Sequence, residues 1–359
     1  MYLRRLWLTD FRGYTEFEVS LVDGIVAVLG DNGEGKTNLV EAIAWIATLS
    51  SFRGAPTEAL IRAGAERAIV RAEIDNDGRE VLLEAEIPRQ GRARVQVNRQ
   101  KLARTRDLLG VFRVSVFAPD DLVLVKGGPS NRRAFLDDTL VARHRKLDVV
   151  RANVDKVLKQ RNALLKQSHG RLTEEIETTL DVWDSKLVEA GEALVAARVE
   201  TLDLLRPRLS EAYDRLAQRP ATVIATYERS WDGPLAQALV ASRRDDLRRG
   251  VTTVGPHRDD VELRIGGLPA RTQASQGEQR SLAFALRLAA HEQVTEETTE
   301  SPVLLLDDVF SELDPARSDA LLEHLPPGQA LLTSAAGLPP RAAPAQVLHI
   351  RDHALVIVP

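Results

Sequence analysis

Nine residues near the start of this 359-residue chain constrain its fold more than any other stretch. They follow an apolar run at 25–29 and precede a segment with helical apolar spacing at 39–47. The order strand, glycine-rich loop, helix, with Gly, four residues and then Gly-Lys-Thr, is typical of a phosphate-binding loop. The predicted loop consists of Gly30, Asp31, Asn32, Gly33, Glu34, Gly35, Lys36, Thr37 and Asn38.

The residue types in this loop suit ATP better than an ordinary glycine-rich turn. Glycines let consecutive backbone N–H groups surround phosphates, and the helix start adds the positive end of its dipole. Thr37 offers an oxygen ligand to Mg²⁺. The chain has eight Lys and forty Arg, yet Lys36 is the only Lys in the first hundred residues. A compact charge that a planar guanidinium cannot replace is therefore indicated at Lys36.

A second apolar run, 303–306, ends in the acid pair Asp307 and Asp308. We expect Asp307 to hold Mg²⁺ together with Thr37, and Asp308 to orient or deprotonate the attacking water. A buried strand followed by two solvent-facing acids would look the same. The catalytic interpretation of Lys36, Thr37 and this acid pair therefore depends on the phosphate loop.

A third group precedes another apolar segment with helical spacing, 282–291, and consists of Ser275, Gln276, Gly277, Glu278 and Gln279. A hydroxyl, backbone N–H groups and a helix dipole together suit an anion. Ser275 with Glu278 also fits a capping box, which is the alternative. Because the phosphate loop already has its own helix, we interpret this group as completing a site on another subunit. The stretch where two subunits would meet is Ser311, Glu312, Leu313 and Asp314.

Composition bounds the class of protein. A 44% apolar content can fill the core of two domains, and the absence of Cys excludes disulfides and thiolate chemistry. No apolar run reaches the ~18 residues of a membrane span, and the first residues do not resemble a signal peptide. We therefore expect a cytoplasmic protein without a membrane partner.

Charge is distributed unevenly although the net charge is −4. Residues 89–113 include eight basic residues and one acidic residue, and residues 143–171 include nine basic and two acidic residues. Solvated faces would explain either run alone. Two runs in an acidic chain favour contact with the phosphates of duplex DNA, because few aromatic residues accompany them. The candidates are Arg92, Arg94, Arg99, Lys101, Arg104 and Arg106.

The apolar patterns predict two lobes of an α/β fold. Alternation dominates the first hundred residues, and 131–217 has helical spacing without Pro between Pro129 and Pro207. Alternation returns at 251–254 and 261–265, whereas the acids at 292–300 indicate a solvated loop. We expect a head at 1–120, a mostly helical insertion at 121–250 and the rest of the head at 251–359.

These groups, in this order, resemble the ABC-type ATPase heads of SMC-like proteins. Pro119-Asp120-Asp121 with the run 127–137, and Gly255-Pro256-His257-Arg258-Asp259-Asp260, are similar to the RecF family of recombination mediators. The resemblance implies a two-lobed P-loop ATPase head with mixed sheets and an inserted helical arm. With Cys absent, His257 and Arg258 are expected to be structural or to contact nucleotide or partner, not a metal.

The resemblance also implies an activity. By this resemblance the protein is expected to be a weak, DNA-stimulated ATPase that dimerises head-to-tail on ATP. The 275–279 group would be the signature motif that acts across the dimer. RecF-like proteins bind double-stranded DNA near gaps and cooperate with RecR and RecO to load RecA. A transporter's ATPase subunit is the alternative, and a scaffold that holds ATP without cleaving it is a third possibility.

Two expected residues of ABC heads are absent. The Gln that senses Mg²⁺ should fall near Ser115, yet no Gln occurs between Gln100 and Gln160. The switch His is replaced by Thr333 or Ser334, whose hydroxyl we expect to contact the γ-phosphate less effectively. Both absences disfavour the transporter interpretation. The missing Gln, for which Ser115 would be a weak substitute, predicts weak coupling between the two lobes, and the missing His predicts slow turnover.

Overall fold

The computed structural model describes residues 1–217 and 219–356, and the chain divides into two compact units. Unit 1 consists of Met1–Asp121, Ala212–Pro220 and Phe284–Pro359, and unit 2 of Leu122–Glu211 and Ala221–Ala283. The domain boundaries expected from the sequence differ from this division and stay a prediction.

The strands are β1 Tyr2–Phe11, β2 Tyr14–Ser20, β3 Ile25–Leu29, β4 Arg67–Asn76, β5 Arg79–Pro88, β6 Arg94–Val97, β7 Gln100–Lys101, β8 Val114–Phe117, β9 Val223–Glu228, β10 Asp260–Ile265, β11 Leu268–Pro269, β12 Val303–Asp307, β13 Ala330–Ser334, β14 Gln346–Arg351 and β15 Ala354–Val356. The helices are α1 Lys36–Thr48, α2 Val123–Lys126, α3 Pro129–Arg143, α4 Asp148–Gln167, α5 Glu174–Leu216, α6 Leu235–Arg249, α7 Ala270–Gln273, α8 Gln276–Thr298 and α9 Pro315–Glu323.

Unit 1 contains two six-stranded sheets. The first has the order β2-β1-β4-β5-β6-β7 and is antiparallel throughout. The second has the order β15-β14-β3-β13-β12-β8 and is parallel except for the β14–β15 hairpin. The mixed sheet expected from the sequence is therefore confirmed.

Helix α1 joins these sheets into one core. Ten of its thirteen residues are buried, and its side chains cluster with residues of both sheets, among them Leu6, Val70 and Leu305. A helix that is apolar on nearly every side is stable only when it is covered on nearly every side. This packing fixes the start of α1 at the carboxyl end of β3, where the phosphate loop lies.

Unit 2 combines helices with the antiparallel sheet β11-β10-β9. Its interior holds ion pairs as well as apolar side chains. The fully buried Arg161 lies 2.7 Å from carboxylate oxygens of both Asp184 and Asp246, and Arg198 forms two 2.7 Å bonds to Asp137. Burial of a charge is tolerable only with such partners, so Arg161 cannot serve the second basic run as a DNA contact.

The helical pattern predicted up to residue 217 is confirmed, since α5 continues past Pro207 to Leu216. Two local expectations prove wrong. Residues 251–254 are not a strand, because the polar groups of Thr252 and Thr253 bond to Asn162 and Asp246. The acids expected in a loop at 292–300 lie mostly within α8, which ends at Thr298. Among the described helices, none is both long and apolar enough to cross a membrane.

Candidate nucleotide site

The phosphate loop connects β3 to α1 as the sequence predicts. Gly33 and Gly35 have φ angles of 89° and 106°, in the region that glycine tolerates best. A Cβ atom added to Gly33 would have no described atom within 4 Å, so the space next to Gly33 is open. The loop thus exposes Asp31, Asn32 and Gly33, while Gly35 and Lys36 are buried.

Two backbone carbonyl groups of the phosphate loop hold the ammonium group of Lys36. Its Nζ donates to the carbonyl oxygens of Gly30 at 2.7 Å and Asp31 at 2.8 Å, and the residue is only 6% exposed. An ammonium group carries three donors, so one N–H remains for a phosphate oxygen after these two bonds. The charge is therefore positioned by backbone rather than by a carboxylate that would neutralise it.

Two hydroxyls converge on the buried acid Asp307 at the end of β12. Thr37 Oγ1 donates to Asp307 Oδ1 at 3.1 Å, and Thr333 Oγ1 donates to the same oxygen at 2.8 Å. Burial raises the pKa of Asp307 above its ordinary value, with the two hydroxyls acting in the opposite direction. A carboxylate in this position is stabilised by a nearby cation.

The pair Thr37 and Asp307 fits Mg²⁺. Adjacent ligands of an octahedral Mg²⁺ lie about 3 Å apart, which matches the separation of these two oxygens. Both are hard oxygen donors, and the free carboxylate has a raised pKa that a divalent charge would lower. These residues therefore have the chemistry and spacing for the ion.

Asp308 follows directly and has an unusual backbone. Its φ of 48° and ψ of 29° lie in the left-handed region, which Asp tolerates better than most residues. Ser311 Oγ contacts both the Asp308 carbonyl oxygen at 2.7 Å and Oδ2 at 3.1 Å. The carboxylate of the candidate base is thus oriented by a serine that the sequence assigned to the dimer interface.

The residues expected to replace the switch His are engaged elsewhere. Thr333 is fully buried, donates its hydroxyl proton to Asp307 and accepts from the Asp308 backbone N at 2.9 Å. Ser334 donates to the Gly337 carbonyl at 2.6 Å. A hydroxyl has one proton to donate, so both protons are already in use. Thr333 links the two acids instead of presenting a donor to the γ-phosphate.

Ser115 is also unsuited to the sensor role. It pairs with Leu304 inside the parallel ladder, three residues before the level of Asp307. Its hydroxyl lies 2.9 Å from Nδ1 of His291, and burial lowers the pKa of that imidazole to about 4. The half-buried Ser115 is thus engaged by His291 within unit 1, away from Asp307.

In unit 2, the signature motif forms the capping box that was its alternative interpretation. Ser275 is exposed, and its backbone N and Oγ both donate to Glu278 Oε2 at 2.7 Å. The Glu278 N–H returns a 3.3 Å bond to Ser275 Oγ. Gln276 is exposed and Gly277 half-buried, whereas Gln279 is buried and donates to the carbonyls of Ala270 and Arg271. Gln279 thus connects α8 to the backbone of α7.

The remaining candidates divide between interior and surface. Asp314 caps α9 by accepting from Arg317 N at 3.0 Å, and Glu312 and Leu313 are half-buried. The six candidate DNA contacts are all exposed residues around the β6–β7 hairpin, and Arg94 lies 3.3 Å from Glu86. His257 and Arg258 both contact the Thr252 carbonyl oxygen, and burial lowers the pKa of His257.

Sequence reasoning missed the residues that brace the loop helix. Arg12 Nε and Nη2 bond to the two carboxylate oxygens of the fully buried Glu41 on α1, at 2.7 and 2.8 Å. Tyr14 donates its hydroxyl to the Gly35 carbonyl at 3.0 Å. An acid in the middle of an otherwise apolar helix was the available signal, since a buried charge requires a partner.

The fold and the site together define a P-loop ATPase head of the ABC type. Its components are a loop between β3 and α1, the acid strand β12 in the same sheet, separated from β3 by β13, and a serine-led helix start. The family model described as the RecF/RecN/SMC N-terminal domain matches residues 2–330. This match covers most of the chain and places it in that superfamily.

More similar relatives narrow the assignment. A DNA replication and repair protein RecF from Streptomyces avermitilis is 43% identical over 94% of each chain. Another from Frankia alni is 44% identical over 94% of this chain and 93% of its own length. A solved structure of the recombination mediator protein RecF-ATP in the RecFOR pathway is 30% identical with a TM-score of 0.92, covering 100% of this chain and 98% of that one. The chain belongs to the RecF family, and the transporter interpretation does not fit.

Proposed function

We propose that this chain is an ATP-dependent DNA-binding protein of recombinational repair and replication-fork maintenance. The observation that carries the proposal is the convergence of Thr37, Thr333 and Asp307 at the carboxyl ends of parallel strands, directly beside Asp308. Such a cluster next to a phosphate loop has little structural purpose without a nucleotide. The ATP-bound relative of known structure supports this assignment.

The roles of the residues follow from their contacts. The loop N–H groups and the remaining proton of Lys36 bind phosphate oxygens. Thr37 and Asp307 would hold Mg²⁺, which when bound neutralises charge on the β- and γ-phosphates. Asp308, held by Ser311, accepts a proton from the attacking water. With the switch His absent and both nearby hydroxyls engaged, the transition state lacks one donor, so hydrolysis is slow.

Dimerisation adds a γ-phosphate contact from a second chain, which does not replace the switch His. The exposed Ser275 at the start of α8 binds the γ-phosphate of ATP held by a second copy, in a head-to-tail homodimer. Residues Ser311 to Asp314 lie at this interface. ATP therefore joins two chains, and slow hydrolysis releases them.

The joined form binds double-stranded DNA, with gapped DNA as its target. Arg92, Arg94, Arg99, Lys101, Arg104 and Arg106 contribute phosphate contacts. The related structure is described as part of the RecFOR pathway, and we extend that description to this chain. Its partners are then RecR, with RecO, and indirectly the recombinase RecA.

Sedimentation with and without ATP, and again with duplex DNA, tests this proposal. We expect the protein to shift from one chain to two on ATP and to bind duplex only in the second form. Lys36→Met should remain a single chain, because the loop loses a charge-assisted contact worth roughly 10- to 100-fold in affinity. Dimers that form equally well without ATP would contradict the proposal.

A further inference from the structure

The turn between β14 and β15 packs directly on the phosphate loop, although more than 300 residues separate them. The His353 N–H donates to the Glu34 carbonyl oxygen at 3.2 Å, and the Asp352 N–H donates to the Glu34 carboxylate. Both turn residues have positive φ angles, 50° for Asp352 and 60° for His353. The turn is therefore shaped to aim its backbone donors at the loop.

The His353 ring occupies space that two glycines leave free. A Cβ atom on Gly13 would lie 2.0 Å from His353 Nε2, and a Cβ atom on Gly35 would lie 2.8 Å from His353 Cδ2. Real Cβ atoms do not approach other atoms this closely, so the ring fits only because both positions are glycine. The same hairpin approaches the loop a second time, since a Cβ on Gly30 would lie 2.3 Å from the Ile350 carbonyl oxygen.

Tyr14, the first residue of β2, contacts both the His353 ring and the phosphate loop. Its fully buried ring meets the His353 ring edge-on, with centroids 5.3 Å apart at 85°, while its hydroxyl donates to the Gly35 carbonyl. Edge-to-face rings prefer this arrangement. The peptide on each side of Gly35 is thus fixed, by the hairpin turn at Glu34 and by Tyr14 at the Gly35 carbonyl.

We propose that His353 is a positioning residue for ATP binding, acting through Glu34 and Gly35 of the phosphate loop. Backbone N–H groups bind phosphate well only when they are already aimed at it, because reorganisation is then not required at the moment of binding. His353 holds that conformation while remaining outside the ligand itself. This inference deepens the proposed function and rests on the ATP site assigned there.

A double-mutant cycle between Gly13 and His353 tests the proposal. Gly13→Ala pushes the ring off the loop and should weaken affinity for a fluorescent ATP analogue by about tenfold, since small misplacements of binding groups cost at least this much. His353→Asn keeps a residue that tolerates the left-handed backbone and should weaken binding to a similar extent. The double variant Gly13→Ala with His353→Gly should be no weaker than His353→Gly alone, because the clash disappears once position 353 has no side chain.

Two further readouts separate positioning from simple stabilisation. At saturating ATP the turnover of His353→Asn should stay within about twofold of the wild type, while its KM rises with the loss of affinity. Leu355→Ala, an exposed residue of the same hairpin, should change neither. His353→Gly serves as a second variant that is free of backbone strain at φ 60° if the Asn variant does not fold.

The outcomes divide clearly. Weaker ATP binding with non-additive effects supports His353 as a positioning residue. A lower melting temperature with unchanged ATP affinity, or strictly additive effects, overturns it. If the wild-type protein does not bind the analogue at all, the proposed function fails instead, and that result is independent of the cycle.

Discussion

The phosphate loop in unit 1 and the signature serine in unit 2 are organised in opposite ways. Thr37 bonds to Asp307 across 270 positions of sequence, and Lys36 is buried with two backbone acceptors. Ser275 is exposed, and its contacts are with Glu278, three residues away. The first group is set by tertiary structure, whereas the second is set by a local cap.

In the proposed dimer, this difference indicates which half of the ATP site is complete within one chain, namely the loop half, which consists of the phosphate loop with Asp307 and Asp308. Groups fixed by distant contacts are already aimed at a ligand, so ATP can bind to a single copy at little cost in reorganisation. A local capping box is worth only about 0.5–2 kcal/mol, so a γ-phosphate can compete for the Ser275 hydroxyl. We infer that the loop binds first and the serine joins later.

Among the substitutions that distinguish the two halves, Asp308→Asn is expected to have the largest effect, a loss of ATP hydrolysis. Removing the proton acceptor should lower hydrolysis by roughly 10²- to 10⁴-fold, because general bases contribute that much. Asn tolerates the left-handed backbone at this position, so the loop half and its ATP affinity should be preserved. Single-turnover hydrolysis and ATP binding, measured on the same preparation, check both parts. Hydrolysis near the wild-type rate would remove Asp308 from the mechanism.

Ser275→Arg should separate the two halves most cleanly. ATP affinity of the single chain should stay within about twofold, while the dimer dissociation constant rises by roughly 100-fold or more through steric and charge conflict at the interface. Ser275→Ala, which removes only the hydroxyl, should give a smaller rise. Gln237→Arg on the exposed face of α6 is the matched control for added charge. Sedimentation across a concentration series distinguishes these variants, and an ordinary dimer from Ser275→Arg contradicts the assignment.

Acidification should affect the loop half. Burial raises the pKa of Asp307, so the carboxylate that would bind Mg²⁺ is lost at a higher pH than for an ordinary Asp. Mg²⁺-dependent ATP affinity should therefore fall by about tenfold for each pH unit below that pKa. Asp307→Asn, measured in the same buffers, corrects for protonation of the nucleotide itself. An equal pH dependence in both proteins would show that Asp307 does not titrate in this step.

The smallest expected effect is on affinity for duplex DNA. In the proposed arrangement DNA contacts neither the phosphate loop nor the signature serine. Replacing Arg99, Lys101 and Arg104 together by Ala should weaken duplex binding severalfold and reduce the slope of log K against log salt by about 2–3. The exposed arginines Arg244, Arg248 and Arg249 of α6 provide a matched triple replacement elsewhere on the chain. A greater loss from the α6 triple would move the DNA surface to unit 2.

Much of the loop half could be predicted from sequence because its signals are local. The glycines at 33 and 35, Lys36 and the apolar strand before Asp307 are all visible in short windows. The same windows failed where tertiary contacts prevailed. Thr252 and Thr253 look like strand residues, yet their side chains bond to neighbouring helices of unit 2.

Local sequence patterns did not predict the contacts between segments that are far apart in the chain. His353 lies in a short carboxyl-terminal hairpin with no motif, and only the structure brings it to Gly13 and Gly35. Thr333 was noticed for its position after a strand, but its bonds to Asp307 and Asp308 depend on the order β13-β12 in the sheet. Sheet order of parallel strands follows from crossover connections, which no local pattern encodes.

A cysteine cross-link can show whether one ATP site is shared between two chains, because the chain contains no Cys of its own. Asn32→Cys in the exposed loop and Gln276→Cys beside the signature serine should be prepared as separate proteins, mixed, and treated with a short bismaleimide. We expect a covalent dimer that forms in the mixture with ATP and is absent without ATP. No cross-link in the ATP-saturated mixture, or the same yield without nucleotide, would contradict a site shared between two chains.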